Sequence, residues 1–294
     1  MSYNNLTDMN AISLASLSQR AIDTSGVAGK EKRLFEMLRS VDSLVVALSG
    51  GADSAYLAWA VHKALGRRGL AVTALSPSFS RYDKEQVEWF VHWCGLRHEF
   101  IQTRELENPL YVKNAADRCY HCKDELFDRM EEIARQRNFS AIAYGINADD
   151  TNDFRPGHRA AHEHRILAPL LDAGLHKEEI RVLSRFAGLP TWDRPASACL
   201  SSRVAYGTPV TPELLEKIEC AEAALRELGF RQFRVRAHDK LARIELAHDE
   251  LSRGFERGVM QQIVTSVKAA GFSFVTLDLE GYRQGSLNSL LKLK

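Results

Sequence analysis

The strongest constraint on the fold is a junction near residue 48. The apolar run Leu44 to Leu48 (LVVAL) passes directly into Ser49-Gly50-Gly51-Ala52-Asp53-Ser54, after which apolar residues recur at helical spacing through Leu57, Val61 and Leu65. A short apolar run stopped by glycines reads as a buried strand, and the spacing after it reads as a helix over 53–65. Two glycines let the backbone turn tightly with its N–H groups exposed, and the start of the following helix carries partial positive charge. This geometry suits a phosphate or pyrophosphate, with Ser49 and Ser54 adding hydroxyl donors. The loop lacks the G-x-x-x-x-G-K-[ST] pattern and has no lysine to reach a terminal phosphate, so it is not a Walker A loop.

Strand and helix patterns continue to alternate beyond this unit. Strands are expected over 71–75, 99–102 and 141–144, and helices over 83–93, 123–137 and 176–187. Alternation at this pitch predicts an α/β fold, a parallel sheet with helices on both faces. The stretch 190–212 is dense in Pro, Ser, Gly and Thr and marks a domain boundary. The expected organisation is a poorly ordered lead-in over 1–25, an α/β domain over 26–195 and a smaller C-terminal α+β domain over 196–294. In the latter, Thr211 reads as an N-cap with Pro212 at the first helical position. Leu214, Leu215, Ile218, Leu225 and Leu228 then make one apolar stripe that ends at Gly229. Strands over 233–237, 242–246 and 274–279 and a helix near 258–270 complete it.

Charge narrows the function classes. Lys+Arg of 39 against Asp+Glu of 38 in 294 residues gives a net charge of +1, without a global footprint for nucleic acid or an anionic membrane. The chain contains no apolar run of about 18 residues, and its start does not read as a secretory leader. Five cysteines are too few and too scattered for a secreted disulfide framework, so a reducing cytoplasm is expected.

Three of those cysteines have the makings of a site. Cys119 and Cys122 lie three apart in Arg118-Cys119-Tyr120-His121-Cys122-Lys123, just before the helix expected from Lys123, and Cys199 lies in the loop at the domain junction. A helix start lowers thiol pKa, which would favour thiolate ligands. Three thiolates could hold an iron-sulfur cluster with one iron left open, could hold zinc with His121 as fourth ligand, or could form a redox pair. Cys94 and Cys220 have no ligand-spaced neighbour and receive no role. His158, His162 and His164 read as an exposed helix face. Gly145, Asn147, Asp149, Asp150 and Arg155 follow a strand, at the sheet edge where open α/β folds bind ligands.

The SGG-x-DS loop resembles the PP-loop signature of ATP pyrophosphatases, which adenylate a substrate and release pyrophosphate. Several stretches together then resemble the LarE family of ATP-dependent sulfur transferases, which serve nickel-pincer nucleotide cofactor biosynthesis. They are SGGADS at Ser49, RCYHCKDELF at Arg118, YGINADDTNDFRPG at Tyr144, APLLDAGLHKEEIR at Ala168, GLPTWDRPASACLSSRVAYG at Gly188, LGFRQFRVRAHDKLARIEL at Leu228 and GFSFVTLDLEGYRQG at Gly271. The resemblance covers nearly the whole chain beyond residue 30. It implies that a carboxylate of pyridinium-3,5-biscarboxylic acid mononucleotide is adenylated and converted to a thiocarboxylate.

The site residues follow from the same resemblance. Ser49, Gly50, Gly51, Asp53, Ser54, Gly145 and Asn147 would bind ATP, with Asp53, Asp149 or Asp150 on Mg²⁺. Ser202, Arg234 and Arg236 would bind the substrate phosphate, the two arginines sharing a strand face by alternation. Arg203 and Glu222 are weaker candidates, since charges on a loop and a helix are usually solvated. Some members sacrifice a cysteine in the loop around Cys199; others hold a 4Fe-4S cluster on three cysteines. The C-x-x-C points to the cluster type, with Cys119, Cys122 and Cys199 as catalytic ligands. The expected partners are a small nucleotide and further copies of the chain in a homo-oligomer, without nucleic acid or membrane. A PP-loop tRNA-thiolating enzyme and a sacrificial Cys199 are the alternatives.

Overall fold

The computed structural model describes residues 24–152, 156–195, 198–283 and 285–287. The lead-in expected over 1–25 lies outside them up to residue 23. After helix α1 (Thr24–Arg39), the chain forms β1 (Leu44–Ala47), α2 (Ala52–Leu65), β2 (Gly69–Leu75), α3 (Arg81–Cys94) and β3 (His98–Gln102). A one-turn helix α4 (Pro109–Val112) and the long α5 (Arg118–Gln136) lead to β4 (Ala141–Ala143). Helices α6 (Pro156–Glu163), α7 (Pro169–Asp172) and α8 (Lys177–Phe186) follow.

The strands make one parallel sheet in the order β3-β2-β1-β4. A central parallel strand must be apolar on both sides, and β1 shows why the LVVAL run is continuous rather than alternating. Leu44, Val46 and Leu48 enter one core with Leu57 and Val61 of α2, whereas Val45 and Ala47 enter another with Phe127 and Met130 of α5. Helices therefore cover both faces, as the alternation of elements predicts.

The remaining elements are α9 (Pro212–Glu227), β5 (Phe233–His238), β6 (Leu241–Leu246), α10 (Leu251–Gly254), α11 (Arg257–Ala269) and β7 (Phe274–Leu277). The Thr211 hydroxyl accepts from the Leu214 N–H at 3.2 Å, with Pro212 at the first helical turn. The second sheet has the order β5-β6-β7, antiparallel then parallel. Its core gathers Leu215, Ile218 and Leu225 of α9 with Val235 and Ile244 of the strands, and it also takes in Tyr111 of α4. No helix among the described residues is long and apolar enough to cross a membrane.

Two sequence expectations need correction. Helix α5 starts at Arg118, so the C-x-x-C occupies its first turns instead of preceding it. The earlier start is held by tertiary contacts of Arg118, which propensity along Cys-Tyr-His-Cys does not reveal. His164 is not part of an exposed face: its side chain is 14% exposed, between Glu131 at 2.9 Å and Asp124 at 3.1 Å. Burial would lower its pKa, but the hydrogen bonds it donates to those two carboxylates prevail and raise it.

Candidate active site

Strand order reverses at β1, with β2 on one side and β4 on the other, so the chains leaving β1 and β4 open a crevice at the carboxyl edge of the sheet. The glycine loop fills one wall. Gly50 has φ +80°, and a Cβ there would lie 2.9 Å from Val87 Cγ2. Gly51 is the N-cap of α2. The Ser54 hydroxyl donates to the Gly51 carbonyl at 3.1 Å, accepts from the Ser49 N–H at 3.2 Å and lies 3.0 Å from the Ser49 hydroxyl. The two serines therefore shape the loop by binding one another. From the opposite wall Gly145 presses on the same turn, its would-be Cβ 2.8 Å from Ser54 Cα.

Asn147 donates to Asp53 Oδ2 at 3.1 Å, while the buried Oδ1 of Asp53 has no hydrogen-bond partner among the described residues. Burial raises its pKa, with Lys177 opposing and Asp150 adding to the rise. Asp150 accepts from the Asn147 N–H at 3.2 Å. Asp149 is engaged elsewhere: it binds His176 Nδ1 at 2.7 Å and the Lys177 N–H at 2.8 Å, and the His176 bond above all lowers its pKa. From α8, Lys177 and Arg181, one turn apart, both act electrostatically on Asp53 and oppose the rise. Arg155 lies outside the described residues.

The three cysteines of the sequence pattern come within electrostatic reach of one another. Cys119 and Cys199 are exposed and Cys122 is half-buried, and a charge on Cys199 is felt at both of the others. The helix start does not lower the two thiols of the motif. Burial raises Cys119, with Arg118 opposing, and burial followed by the Cys199 charge pushes Cys122 far up. Desolvation of the thiolate outweighs the helix dipole here. Cys119 touches solvent yet is crowded by protein on most sides, as on the wall of a cleft. Among the described residues, three metal-type ligand atoms lie within 4.8 Å of one another only at Asp128, Glu131 and His164. The three sulfurs do not meet within that distance.

The arginines named by resemblance line the neighbouring wall. Arg236 is buried, not solvated: its Nε and Nη2 bind Glu245 Oε2 at 3.0 and 2.9 Å and its Nη1 binds the Ser202 carbonyl at 3.0 Å. Arg234 lies two residues earlier on the same strand face, where burial and then the Arg203 charge disfavour its cationic form. Glu222 and Tyr282 oppose that effect, so both signs of charge surround Arg234. Arg203 and Glu222 are not surface charges. They form a buried pair, side chains 4% and 7% exposed, with two contacts at 2.9 and 3.1 Å. Burial would raise the Glu222 pKa, but Arg203 prevails and lowers it. A third nitrogen of Arg203 binds the carbonyls of Ala198 and Cys199, anchoring the cysteine loop.

Two further arginines carry no local signal in the sequence. Arg194 donates to the Gly50 carbonyl at 2.8 Å and to Asp83 at 2.7 Å, tying the glycine loop to α3. Arg118 donates to Asn114 Oδ1 and to the Ser201 carbonyl at 2.8 Å, tying the C-x-x-C helix to the Cys199 loop. Apart from Asn114, four residues from Arg118, these partners lie too far apart along the chain for spacing to reveal them.

No family model matches the chain. It is 32% identical over 266 residues, 90% of its length and 96% of the relative's, to the pyridinium-3,5-bisthiocarboxylic acid mononucleotide synthase of Lactiplantibacillus plantarum. An uncharacterized protein of Synechocystis sp. is 40% identical over 262 residues, 89% of this chain and 98% of that one. Another uncharacterized protein, from Methanocaldococcus jannaschii, is 28% identical over 240 residues, 82% of this chain and 90% of the relative.

Proposed function

The chain belongs to the family of the pyridinium-3,5-bisthiocarboxylic acid mononucleotide synthase, the LarE sulfur transferases, and from that membership we propose that it is an ATP-dependent sulfur transferase of the three-cysteine type. The observation that supports this most is that Cys119, Cys122 and Cys199 lie within electrostatic reach of one another in a chain that also carries the SGG-x-DS loop. All five cysteines are free, which suits the reducing cytoplasm. A homo-oligomer is the expected state of the family.

The chemistry follows from making a poor electrophile reactive. A carboxylate oxygen of the substrate, pyridinium-3,5-biscarboxylic acid mononucleotide, attacks the α-phosphorus of ATP, and the bond to the bridging oxygen breaks to release pyrophosphate. The N–H groups of the Gly50–Gly51 turn and the start of α2 receive that leaving group. Lys177 supplies the positive charge that a Walker lysine would. Asp53, whose Oδ1 lacks a partner, would hold Mg²⁺ together with Asp150, and the ion would neutralise the phosphates. Asp149, committed to His176 and the start of α8, is left out of this set. Arg234, Arg236 and Ser202 would hold the substrate phosphate, with Arg203 and Glu222 fixing the wall behind them. A sulfur nucleophile then attacks the acyl carbon, and AMP departs with the electron pair of the carbon–oxygen bond. Cys119, Cys122 and Cys199 would hold a 4Fe-4S cluster, which supplies an iron position open to sulfide.

The test is iron, acid-labile sulfide and zinc content of the anaerobically purified chain and of Cys199→Ala, together with ATP-dependent pyrophosphate release on the dicarboxylate mononucleotide. We expect about four irons per chain, lost in the variant, and pyrophosphate release in both, because adenylation does not need Cys199. The exposure of Cys199 also suits a second reading, in which its sulfur is consumed. The cysteine sulfur would attack the acyl carbon. Its Cβ–S bond and a Cα–H bond would then break, leaving thiocarboxylate and dehydroalanine. An iron-free chain that loses the elements of hydrogen sulfide at Cys199 after one turnover would replace the first reading by the second.

A further inference from the structure

The peptide between Gly50 and Gly51 has a glycine on either side, so no Cβ hinders its rotation. Across a trans peptide the carbonyl and the N–H point opposite ways, and a flip of the plane would exchange them. The direction of this peptide therefore has to be set from outside the loop. Among the described residues, one side chain reaches the Gly50 carbonyl: Arg194, whose Nη1 donates to it at 2.8 Å. The packing is close, since a Cβ on Gly50 would lie 3.3 Å from that nitrogen. On the far side of the same plane the Gly51 N–H meets no acceptor among the described residues, nor does the Gly50 N–H before it.

Arg194 is itself fixed at both ends. Its Nη2 donates to Asp83 Oδ1 at 2.7 Å, in a pair with side chains 11% and 13% exposed, so its charge is compensated and Nη1 is left to hold a neutral carbonyl. The other oxygen of Asp83 accepts from the Ser80 hydroxyl at 2.6 Å, which ties the carboxylate to the N-cap of α3. At the backbone end, Arg181 of α8 donates to the carbonyls of Trp192 and Arg194 at 3.3 and 2.8 Å.

We infer that Arg194 is the positioning residue of the glycine loop: its hold on the Gly50 carbonyl turns the Gly51 N–H towards the pyrophosphate end of ATP. This rests on the reading of the loop as the seat of the leaving pyrophosphate, and deepens it. With the peptide reversed, a carbonyl oxygen would face the phosphate oxygens and repel them. A guanidinium takes the Gly50 carbonyl and the Asp83 carboxylate at once along fixed directions, which the point charge of a lysine does not. The tie is made before ATP arrives, so binding needs no reorganisation of the loop.

The experiment measures dissociation constants of ATP, pyrophosphate and AMP, each with Mg²⁺, by calorimetric titration of the full-length chain. Wild type is compared with Arg194→Gln, Arg194→Lys and Asp83→Asn. AMP lacks the two phosphates assigned to the loop and is the internal reference. In Arg194→Gln the constants for ATP and pyrophosphate should rise about tenfold, about 1.4 kcal/mol, with that for AMP within about twofold of wild type. Arg194→Lys, which keeps the charge, and Asp83→Asn, which loosens Arg194 without removing it, should each give a rise of about threefold. A merely structural role would lower the urea midpoint and weaken AMP together with ATP, leaving the ATP-to-AMP ratio as in wild type. An unchanged ratio in Arg194→Gln overturns the inference; should that variant not fold, an unchanged ratio in Asp83→Asn does so. A wild type that binds AMP but not pyrophosphate overturns it as well. Binding needs no turnover, so the ratio still decides in a chain that binds ATP yet releases no pyrophosphate on the dicarboxylate mononucleotide. That second result would overturn the sulfur-transfer reading alone.

Discussion

Gly145 carries no side chain because the first turn of α2 occupies the place where one would stand. A Cβ would lie 2.8 Å from Ser54 Cα and 2.9 Å from Ser54 N, both backbone atoms that cannot swing aside. Gly145→Ala should therefore destabilise the chain by about 1–3 kcal/mol. Because the displaced turn is the phosphate loop, it should also raise the half-saturating ATP concentration several-fold. Urea unfolding and an ATP titration of pyrophosphate release check the two parts. Gly50 was legible as half of a Gly-Gly turn, and its φ of +80° gives the reason. The role of Gly145 was legible only as a position after a strand, since its partner lies about 90 residues earlier. Arg203 and Glu222 were misread for the same kind of reason: nothing near either residue says that the other will reach it and exclude water.

The sheet strands are tied together just ahead of the glycine loop by a polar chain. The Thr73 hydroxyl of β2 donates to the Leu48 carbonyl at 2.6 Å, so its oxygen must accept from His98 Nε2 of β3, 2.9 Å away. This fixes His98 as the neutral Nε2–H tautomer, and burial pushes its pKa down to about 4 from 6.5. A His whose folded pKa is depressed binds fewer protons folded than unfolded in that window. Its contribution is complete above pH 6.5 and is lost as pH falls towards 4, by at most about 3 kcal/mol. In His98→Gln the fall in stability between pH 6.5 and 4 should be shallower than in wild type, measured by urea midpoints across that range. Elements of this kind were readable because apolar spacing is a local property. The strands at 44–48, 71–75 and 99–102 and the Thr211 cap all correspond to observed features within a few residues. The start of α5 was not, because Arg118 is held there in part by the Ser201 carbonyl, 83 residues away in the chain.

The two cores are joined through the corner between α4 and α5. Asn114 is fully buried with φ +56°. Its amide donates to the carbonyls of Ala205 and Thr208 at 2.9 Å each, and its own carbonyl accepts from the Gly207 N–H at 3.1 Å. Tyr111 adds a hydroxyl contact to Ser201 Oγ at 2.6 Å while its ring packs in the C-terminal core. Asn114→Ala leaves several buried carbonyls without donors and removes a side chain tolerant of positive φ. It should cost about 3 kcal/mol, seen as a lower urea midpoint at unchanged slope. On the proposed cluster reading, the same change should also reduce iron content, because this corner ties the C-x-x-C helix to the Cys199 loop.

What the sequence determined by itself was the layered α/β plan, the glycine loop and the C-x-x-C with its third cysteine in a junction loop. Each rests on residue type and short spacing, and these act over a few residues of chain. Tertiary structure alone decided that Arg203 and Glu222 are a buried pair, that Lys177 comes near Asp53 of the glycine loop, and that Arg118 stands beside a thiol. Long polar side chains take whatever partners the fold brings within reach, and burial then sets the strength of the charges they carry.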